Sequence, residues 1–324
     1  MTFRWSEQKK PFLCLAPMEG YTDTSYRQLI KEISPRTIVF TEFTSIDGLK
    51  FGNPKSFKRI EFKEMERPLI AQIFGSDPAI FAESTKILTD MGVDGIDINM
   101  GCPSRKIVTG CKGSALFNDP ALAAEIVHAT QSATHLDVSV KMRIGFGAFD
   151  LPALLNFTKG LEDAGAKHLA LHGRTTKQAY TGMSDWKPIY KVKKARTIPV
   201  TGNGDITSVK DAKKKLKNLD GLMVGRGTFG NPWLMAELEH HLEGEKYEGP
   251  QTFEEKIPTI LHQCQLAIDY KGEYKAMIEM RKHLANYVHG FKNATKYRFR
   301  LVRVSTLEEA KEILEEVIEA SQQL

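Results

Sequence analysis

The chain has 324 residues, 41% apolar and 26% charged, a balance that supplies a large core and excludes a disordered or fibrous protein. A net charge of +5 is too modest to imply nucleic acid by itself, and the four cysteines, Cys14, Cys102, Cys111 and Cys264, show no CxxC spacing, so neither zinc nor a disulfide framework is indicated. Residues 1–10 carry charge rather than an apolar run, and no stretch approaches the ~20 apolar residues of a membrane span, so a cytoplasmic, monomeric protein without membrane or metal is expected.

In chain order, short apolar runs at 12–16, 37–43, 69–74, 95–99, 138–142, 168–171, 198–202 and 221–224 read as buried parallel strands. Amphipathic stretches at 78–91, 120–133, 151–164 and 209–217 read as the helices between them. Strand–helix alternation implies βαβ units, and eight units in about 240 residues fit a closed (β/α)₈ barrel. The rival is an open doubly wound sheet, which would show a GxGxxG turn after its first strand; here that strand is followed by Pro17-Met18-Glu19-Gly20. The charged, Gly- and Pro-bearing segment 243–250 reads as a linker. Beyond it the pattern is helical, with capping boxes expected at Thr252/Glu255 and Ser305/Glu308. The expected domains are therefore a catalytic barrel over 1–243 and a helical domain over 250–324.

A (β/α)₈ barrel works where its strands end. The first strand leads into Ala16-Pro17-Met18-Glu19 and the fourth into Asn99-Met100-Gly101-Cys102. The fifth ends in Lys141-Met142-Arg143. The sixth ends in His172-Gly173-Arg174, with Gln178 and Tyr180 close behind. The last two end in Gly202-Asn203-Gly204-Asp205 and Gly225-Arg226-Gly227. Glycines in these two adjacent loops let backbone N–H groups approach an anion, and Arg226 adds charge, so a phosphate site is expected there. Cys102, just past a strand end, is either a thiolate nucleophile or a protonated thiol acting as a general acid. By strand alternation Lys141 points into the barrel, where it could stabilise an anion or form a Schiff base. His172 is a candidate base or cofactor partner.

These segments, as APMEGYTD from Ala16, DINMGCP from Asp97, VKMRIGF from Val140, LHGRTTKQAYTG from Leu171, GNGDI from Gly202 and GRGTFGNPW from Gly225, resemble the tRNA-dihydrouridine synthase family. The resemblance spans roughly residues 12–240 and rests on the blocks occurring together and in order. It implies FMN at the barrel mouth, contacted by Pro17, Met18, Glu19, Gln72, Lys141 and His172. Asn203, Gly204, Asp205, Gly225 and Arg226 would lie at its phosphate end. It further implies NADPH as reductant, Cys102 as the acid that protonates C5 of uracil after hydride reaches C6, and Asn99, Arg143 and Tyr180 on the target base. Tyr21 and Thr201 depart from the family's commoner aliphatic residues, and Lys112-Gly113-Ser114-Ala115 from its usual Gly-Ala pair.

The tRNA partner finds a counterpart in residues 281–303. Arg281, Lys282, Lys292, Lys296, Arg298, Arg300 and Arg303 are interleaved there with Tyr287, Phe291, Tyr297 and Phe299, uninterrupted by acid. A second basic cluster, Lys210 to Lys217, precedes the last strand and reads as solvated surface. Rival readings are an FMN barrel acting on a free pyrimidine, a Schiff-base aldolase, and a silent RNA-binding protein. The basic helical segment argues against the first, the NMGCP loop against the second, and the intact Cys102, Lys141 and His172 against the third.

Overall fold

The computed structural model describes residues 2–322; Met1, Gln323 and Leu324, the outermost residues of the two expected domains, lie outside the described residues. Nine parallel strands follow one another: β1 Phe12–Leu15, β2 Val39–Phe40, β3 Thr44–Ser45, β4 Leu69–Phe74, β5 Gly95–Met100, β6 Asp137–Arg143, β7 His168–His172, β8 Val200–Asn203 and β9 Gly221–Val224. Their lateral order is β1-β9-β8-β7-β6-β5-β4-β2, with β3 also on β4. A single bridge between Cys14 and Ile38 brings the two edges together, so β2 and β3 share one of eight positions in a nearly closed barrel.

The run at 37–43 was expected as one strand; only Val39–Phe40 within it is strand, and a second short strand, Thr44–Ser45, follows just beyond its end. At the break, the Thr41 hydroxyl rather than a carbonyl accepts the Gln72 N–H, at 3.0 Å. A side-chain acceptor thus substitutes for the ladder, which resumes at Thr44 opposite Ile73. The other strands fall where the apolar runs place them, within two residues at either end.

The inter-strand helices start on a repeated device. Asp77, Asp119 and Asp150 each accept a backbone N–H from the first turn, and each is followed by Pro at the first or second helical position. An N-cap of this kind contributes about 1 kcal/mol, and Pro there loses no hydrogen bond. Strand alternation then sorts the faces. Val138, Val140 and Met142 of β6 pack outward with Leu154 and Phe157, while Asp137, Ser139, Lys141 and Arg143 take the opposite face, toward the barrel interior.

The interior is divided. Its lower part is apolar, built from Phe12, Cys14, Ile38, Phe40, Ile70 and Met223, and is plugged by Trp5. Trp5 donates its backbone N–H to Asp137 at 2.9 Å and stacks on the His168 ring at 3.8 Å. The upper part, toward the strand ends, is polar.

Beyond helix Trp233–Glu243 come four helices, Phe253–Lys271, Glu273–Tyr287, Ala294–Leu301 and Leu307–Gln322, with their own core around Ile260, Cys264, Met277, Leu284, Leu314 and Val317. Trp233 joins this core from the barrel side. The Thr252/Glu255 capping box is present. The second box lies one residue later than expected: Glu309 donates its N–H to the Thr306 hydroxyl and its carboxylate accepts from the N–H groups of Thr306 and Ser305. The helix begins at Leu307, which puts Thr306, not Ser305, at the N-cap. No helix among the described residues is long and apolar enough to cross a membrane.

Two histidines are sealed inside this architecture. Burial pulls both His168 and His283 down to about 3. Below pH 6.5 the unfolded chain takes up protons that the native state refuses, so their contribution to stability is complete above 6.5 and is lost as pH falls toward 3. Each accounts for about 1.4 kcal/mol per pH unit within that window. We expect His283→Gln to weaken the pH dependence of urea unfolding between pH 6 and 4 by about that slope. An unchanged slope would mean that His283 is protonated in the native protein.

Candidate active site at the barrel mouth

The strand ends surround a cavity of ≈ 680 Å³. Every site residue expected from the sequence lines it except Gln72. Gln72 lies just below, fully buried, with its amide committed: its nitrogen donates to Asp97 at 2.7 Å and its oxygen accepts from Asn99 at 2.9 Å. Gln72 thus supports Asn99 from beneath.

That position belongs to a directional chain. Ser139 donates to Asp97 at 2.6 Å, Asp97 accepts from Gln72, and Gln72 accepts from Asn99. The Asn99 oxygen then accepts the N–H groups of Cys102 at 2.9 Å and Gly101 at 3.1 Å. The Cys102 carbonyl is held from the other side by the Ser114 hydroxyl at 2.8 Å. The Cys102 backbone is thus fixed from two directions. Burial is the largest influence on its thiol and pushes it above the ordinary value. It stays protonated at neutral pH, which favours the acid over the thiolate of the two roles left open by the sequence. Cys111 lies exposed further along the same loop.

Lys141 projects toward this thiol from β6. Its ammonium has no hydrogen-bond or ion-pair partner among the described residues, and burial, followed by repulsion from Arg143, pulls it down to about 8. It remains mostly cationic at pH 7, with only the buried Asp97, itself pushed up to about 6 by burial, as a nearby attractive charge below it. His172 is held neutral, at about 2, chiefly by burial and then by the surrounding cations. Its tautomer is set by Arg174, whose guanidinium lies 3.2 Å from Nε2. A guanidinium only donates, so Nε2 accepts and the proton sits on Nδ1. This Nδ1–H has no acceptor among the described residues.

Arg174 was not singled out as a site residue. It stands two residues after His172 in the sixth-strand block, and that position is the signal that could have found it. It is buried and pairs through two bonds with Asp205, at 2.8 and 2.9 Å. Asp205, expected at a phosphate end, is thereby an anchor. Burial alone would raise its carboxyl, but the Ser184 N–H and Arg174 outweigh this and hold it below the ordinary range. Asn203 donates to the Met223 carbonyl at 2.7 Å and ties β8 to β9. Arg143 holds the carbonyls of Gly101, Thr175 and Ala179 at 2.8, 3.0 and 2.7 Å and leaves Nη2 without an acceptor among the described residues. Tyr180 lies between cations, 5.5 Å from Arg143 and 4.7 Å from Arg226.

The loops after β8 and β9 form a cradle for an anion. Gly204 has φ +124°, and a Cβ there would meet Ser184 at 2.8 Å and the His172 ring at 3.0 Å, so only glycine fits. The N–H groups of Gly204, Gly225 and Arg226 find no acceptor among the described residues. From the cluster read as solvated surface, Lys215 turns back to donate to the Asp205 carbonyl, bracing the first loop from below.

A second cavity of ≈ 390 Å³ adjoins the first at Glu19, between the barrel rim and the helical bundle. Lys55, Lys58, Arg59, Lys275 and Lys282 line it. The basic stretch 281–303 is largely committed elsewhere. Arg281 holds the carbonyls of Val304 and Arg303, Arg298 holds Val288, and Arg300 pairs with Glu316. Tyr287 is a core residue whose hydroxyl donates to Gln263. Of that stretch only Lys282 reaches the cleft, where its ammonium lies over the Tyr21 ring at 4.8 Å. The remaining cations there come from two scattered segments that no charge run marks.

The dihydrouridine synthase family model matches residues 14–323. The chain is 36% identical over 307 residues to a probable tRNA-dihydrouridine synthase 1 of Synechocystis, covering 94% of this chain and 85% of that protein. It is 37% identical to tRNA-dihydrouridine synthase B of Pseudomonas putida, covering 89% and 86%, and 37% identical to a probable tRNA-dihydrouridine synthase of Rickettsia bellii, covering 88% of each. Among solved structures, morphinone reductase shares the fold at a TM-score of 0.53 and 11% identity, over 77% of this chain and 90% of that one.

The polar chain under Cys102 makes a test of its own. Asp97→Ala leaves the Gln72 amide without an acceptor in the barrel interior and Ser139 with only the Ile96 carbonyl at 3.4 Å, at about 1–3 kcal/mol for the unsatisfied group. Asp97→Asn keeps an acceptor and removes a buried charge. In urea unfolding at pH 7 the alanine variant is expected to lose several kcal/mol and the asparagine variant, which keeps one acceptor oxygen but not the charge facing Lys141, clearly less; equal losses in both would contradict the acceptor role.

Proposed function

Since the chain belongs to the dihydrouridine synthase family, we propose that the barrel-mouth cavity is where it reduces its tRNA uridine, with FMN bound there, NADPH as reductant and Cys102 as acid. Membership makes the chain an oxidoreductase acting on uridine in tRNA. The observation that carries the finer reading is the meeting, in one cavity, of a protonated Cys102 thiol, an unpartnered Lys141 ammonium and a neutral His172 with a free Nδ1–H.

The residues suit a flavin mononucleotide. Gly204, Gly225 and Arg226 offer unsatisfied N–H groups to its phosphate, and the Arg226 side chain adds a charge. Lys141 and the His172 Nδ1–H are donors for the polar edge of its ring, which Pro17, Met18 and Glu19 wall. Asn203, Asp205 and Gln72 act through the groups they position. When bound, FMN reduced by NADPH supplies the hydride for C6 of uracil.

The chain's own part is orientation and proton delivery. Arg143 Nη2 is free to meet a uracil carbonyl, Tyr180 closes the outer side, and Asn99 holds the loop that carries the acid. As C6 accepts hydride, negative charge develops across C5 and the adjoining carbonyl; Cys102 gives its proton to C5, and its thiolate is reprotonated by solvent. A thiol raised by burial stays loaded between turnovers. Extruding the uridine costs a few kcal/mol of unstacking, which contacts elsewhere on the tRNA offset. In this reading the helical domain and the cleft cations Lys55, Lys58, Arg59, Lys275 and Lys282 supply them.

We expect the anaerobically reduced protein to be reoxidised rapidly by unmodified tRNA and not by free uridine or orotate, followed by flavin absorbance. Reoxidation by a free pyrimidine alone would assign the site to a small substrate, and a protein unable to take up FMN would remove the cofactor. Cys102→Ala should retain FMN and tRNA binding and lose at least about 100-fold in turnover. Replacing Lys55 and Lys58 with Ala should weaken tRNA binding and flatten its salt dependence by about one to two units of log–log slope; an unaltered slope would remove the cleft from the interface.

A further inference from the structure

The loop between β7 and the next helix, Lys187–Ala195, is held unusually firmly for a surface loop. Arg143 grips the carbonyls of Thr175 and Ala179. Arg174 grips those of Thr181, at 3.2 Å, and Gly182, at 2.6 Å. On the far side the Ser184 N–H donates to Asp205 at 2.8 Å and the Asp185 N–H to the Gly173 carbonyl at 2.6 Å. Between these two sets of anchors stands Met183, with its side chain 85% exposed. Single exposed apolar residues are common and mean little alone. Here the backbone is pinned on one side to the buried Arg174 and on the other to Asp205 and the Gly173 carbonyl, so the side chain is presented at a fixed place. That place is three residues beyond Tyr180, which lines the cavity and lies over Arg226.

We propose that Met183 is a wedge that fills the gap left in the RNA stack when the target uridine enters the cavity. The proposal rests on the reading of the cavity as the uridine site. A uridine bound there stays tethered by a phosphodiester on each side, so its neighbouring bases lie at the rim beside this loop. They have lost a stacking partner, and a long unbranched apolar side chain on a fixed backbone replaces it, as apolar side chains do where proteins unstack base steps. The adjacent Tyr180–Arg226 pair offers cation and ring to the same strand. The exposed apolar side chains of this loop, Met183 and Tyr180, are enough for an unstacked base.

The test compares wild type, Met183→Ser and Met183→Leu in single-turnover reoxidation of the reduced flavin. The substrates are unmodified tRNA and an unstructured oligonucleotide carrying the same uridine, which has no stack to fill. Met183→Ser should be about tenfold slower on tRNA and equal to wild type on the oligonucleotide, and Met183→Leu should restore the tRNA rate. With 2-aminopurine beside the target uridine, the Met183→Ser complex should fluoresce about twice as brightly as the wild-type complex. Wild-type rates on tRNA for Met183→Ser, equal slowing on both substrates, or equal fluorescence would each overturn the wedge. Failure of the wild-type enzyme on both RNAs would instead overturn the reading of the cavity itself, and the two failures are told apart by the wild-type trace alone.

Discussion

The site depends on one buried carboxylate. Asp97 accepts from Ser139 and Gln72, and because it can only accept, it orients the Gln72 amide. That leaves the Gln72 oxygen facing Asn99 and the Asn99 oxygen facing the backbone of Gly101 and Cys102. Amides are ambiguous in isolation; a chain ended by a carboxylate has one polarity. The cost of burying Asp97 is visible in its raised carboxyl, and Lys141 on the neighbouring strand partly offsets it. The same ammonium, otherwise unpartnered, faces the cavity, so the groups that position the thiol and those that would meet a flavin share one electrostatic balance.

Two arginines do for the upper loops what Asp97 does for the floor. Arg143 ties the Cys102 loop to the loop after β7, and Arg174 ties that loop to the one after β8. Arg174 also fixes the His172 tautomer. Neither guanidinium is spent mainly on surface charge pairing. Each is engaged mostly by loop carbonyls, those of Gly101, Thr175 and Ala179 for Arg143 and those of Thr181 and Gly182, beside Asp205, for Arg174. Loops of irregular path are thereby made rigid enough to present side chains at defined positions.

The sequence revealed the barrel because each strand is an apolar run between helices of clear period, and it revealed the cavity because functional residues follow strand ends. It concealed whatever depends on which partner a group finds. The break after Phe40 turns on the Thr41 hydroxyl, and an apolar run gives no hint of it. Which way the Gln72 amide points is decided by Asp97, on another strand. The basic stretch 281–303 displayed charge but not that Arg281, Arg298 and Arg300 were already engaged. Conversely, Lys55, Lys58 and Lys275 gather only through folding. The shift of a capping box from Ser305 to Thr306 has the same origin: two adjacent hydroxyl residues offer two frames, and side-chain geometry selects one.

Trp5 bears on the order in which the molecule can assemble. Its backbone partner, Asp137, lies 132 residues further along the chain, and the ring on which its indole stacks, His168, is further still. At a synthesis rate of roughly 5–20 residues per second, the indole spends on the order of ten seconds outside the ribosome before its seat exists. The floor of the barrel therefore closes late, after β6, β7 and finally β9, which carries Met223 and pairs with β1, are made. A nascent chain of this design is most in need of chaperone cover until β9 has left the ribosome.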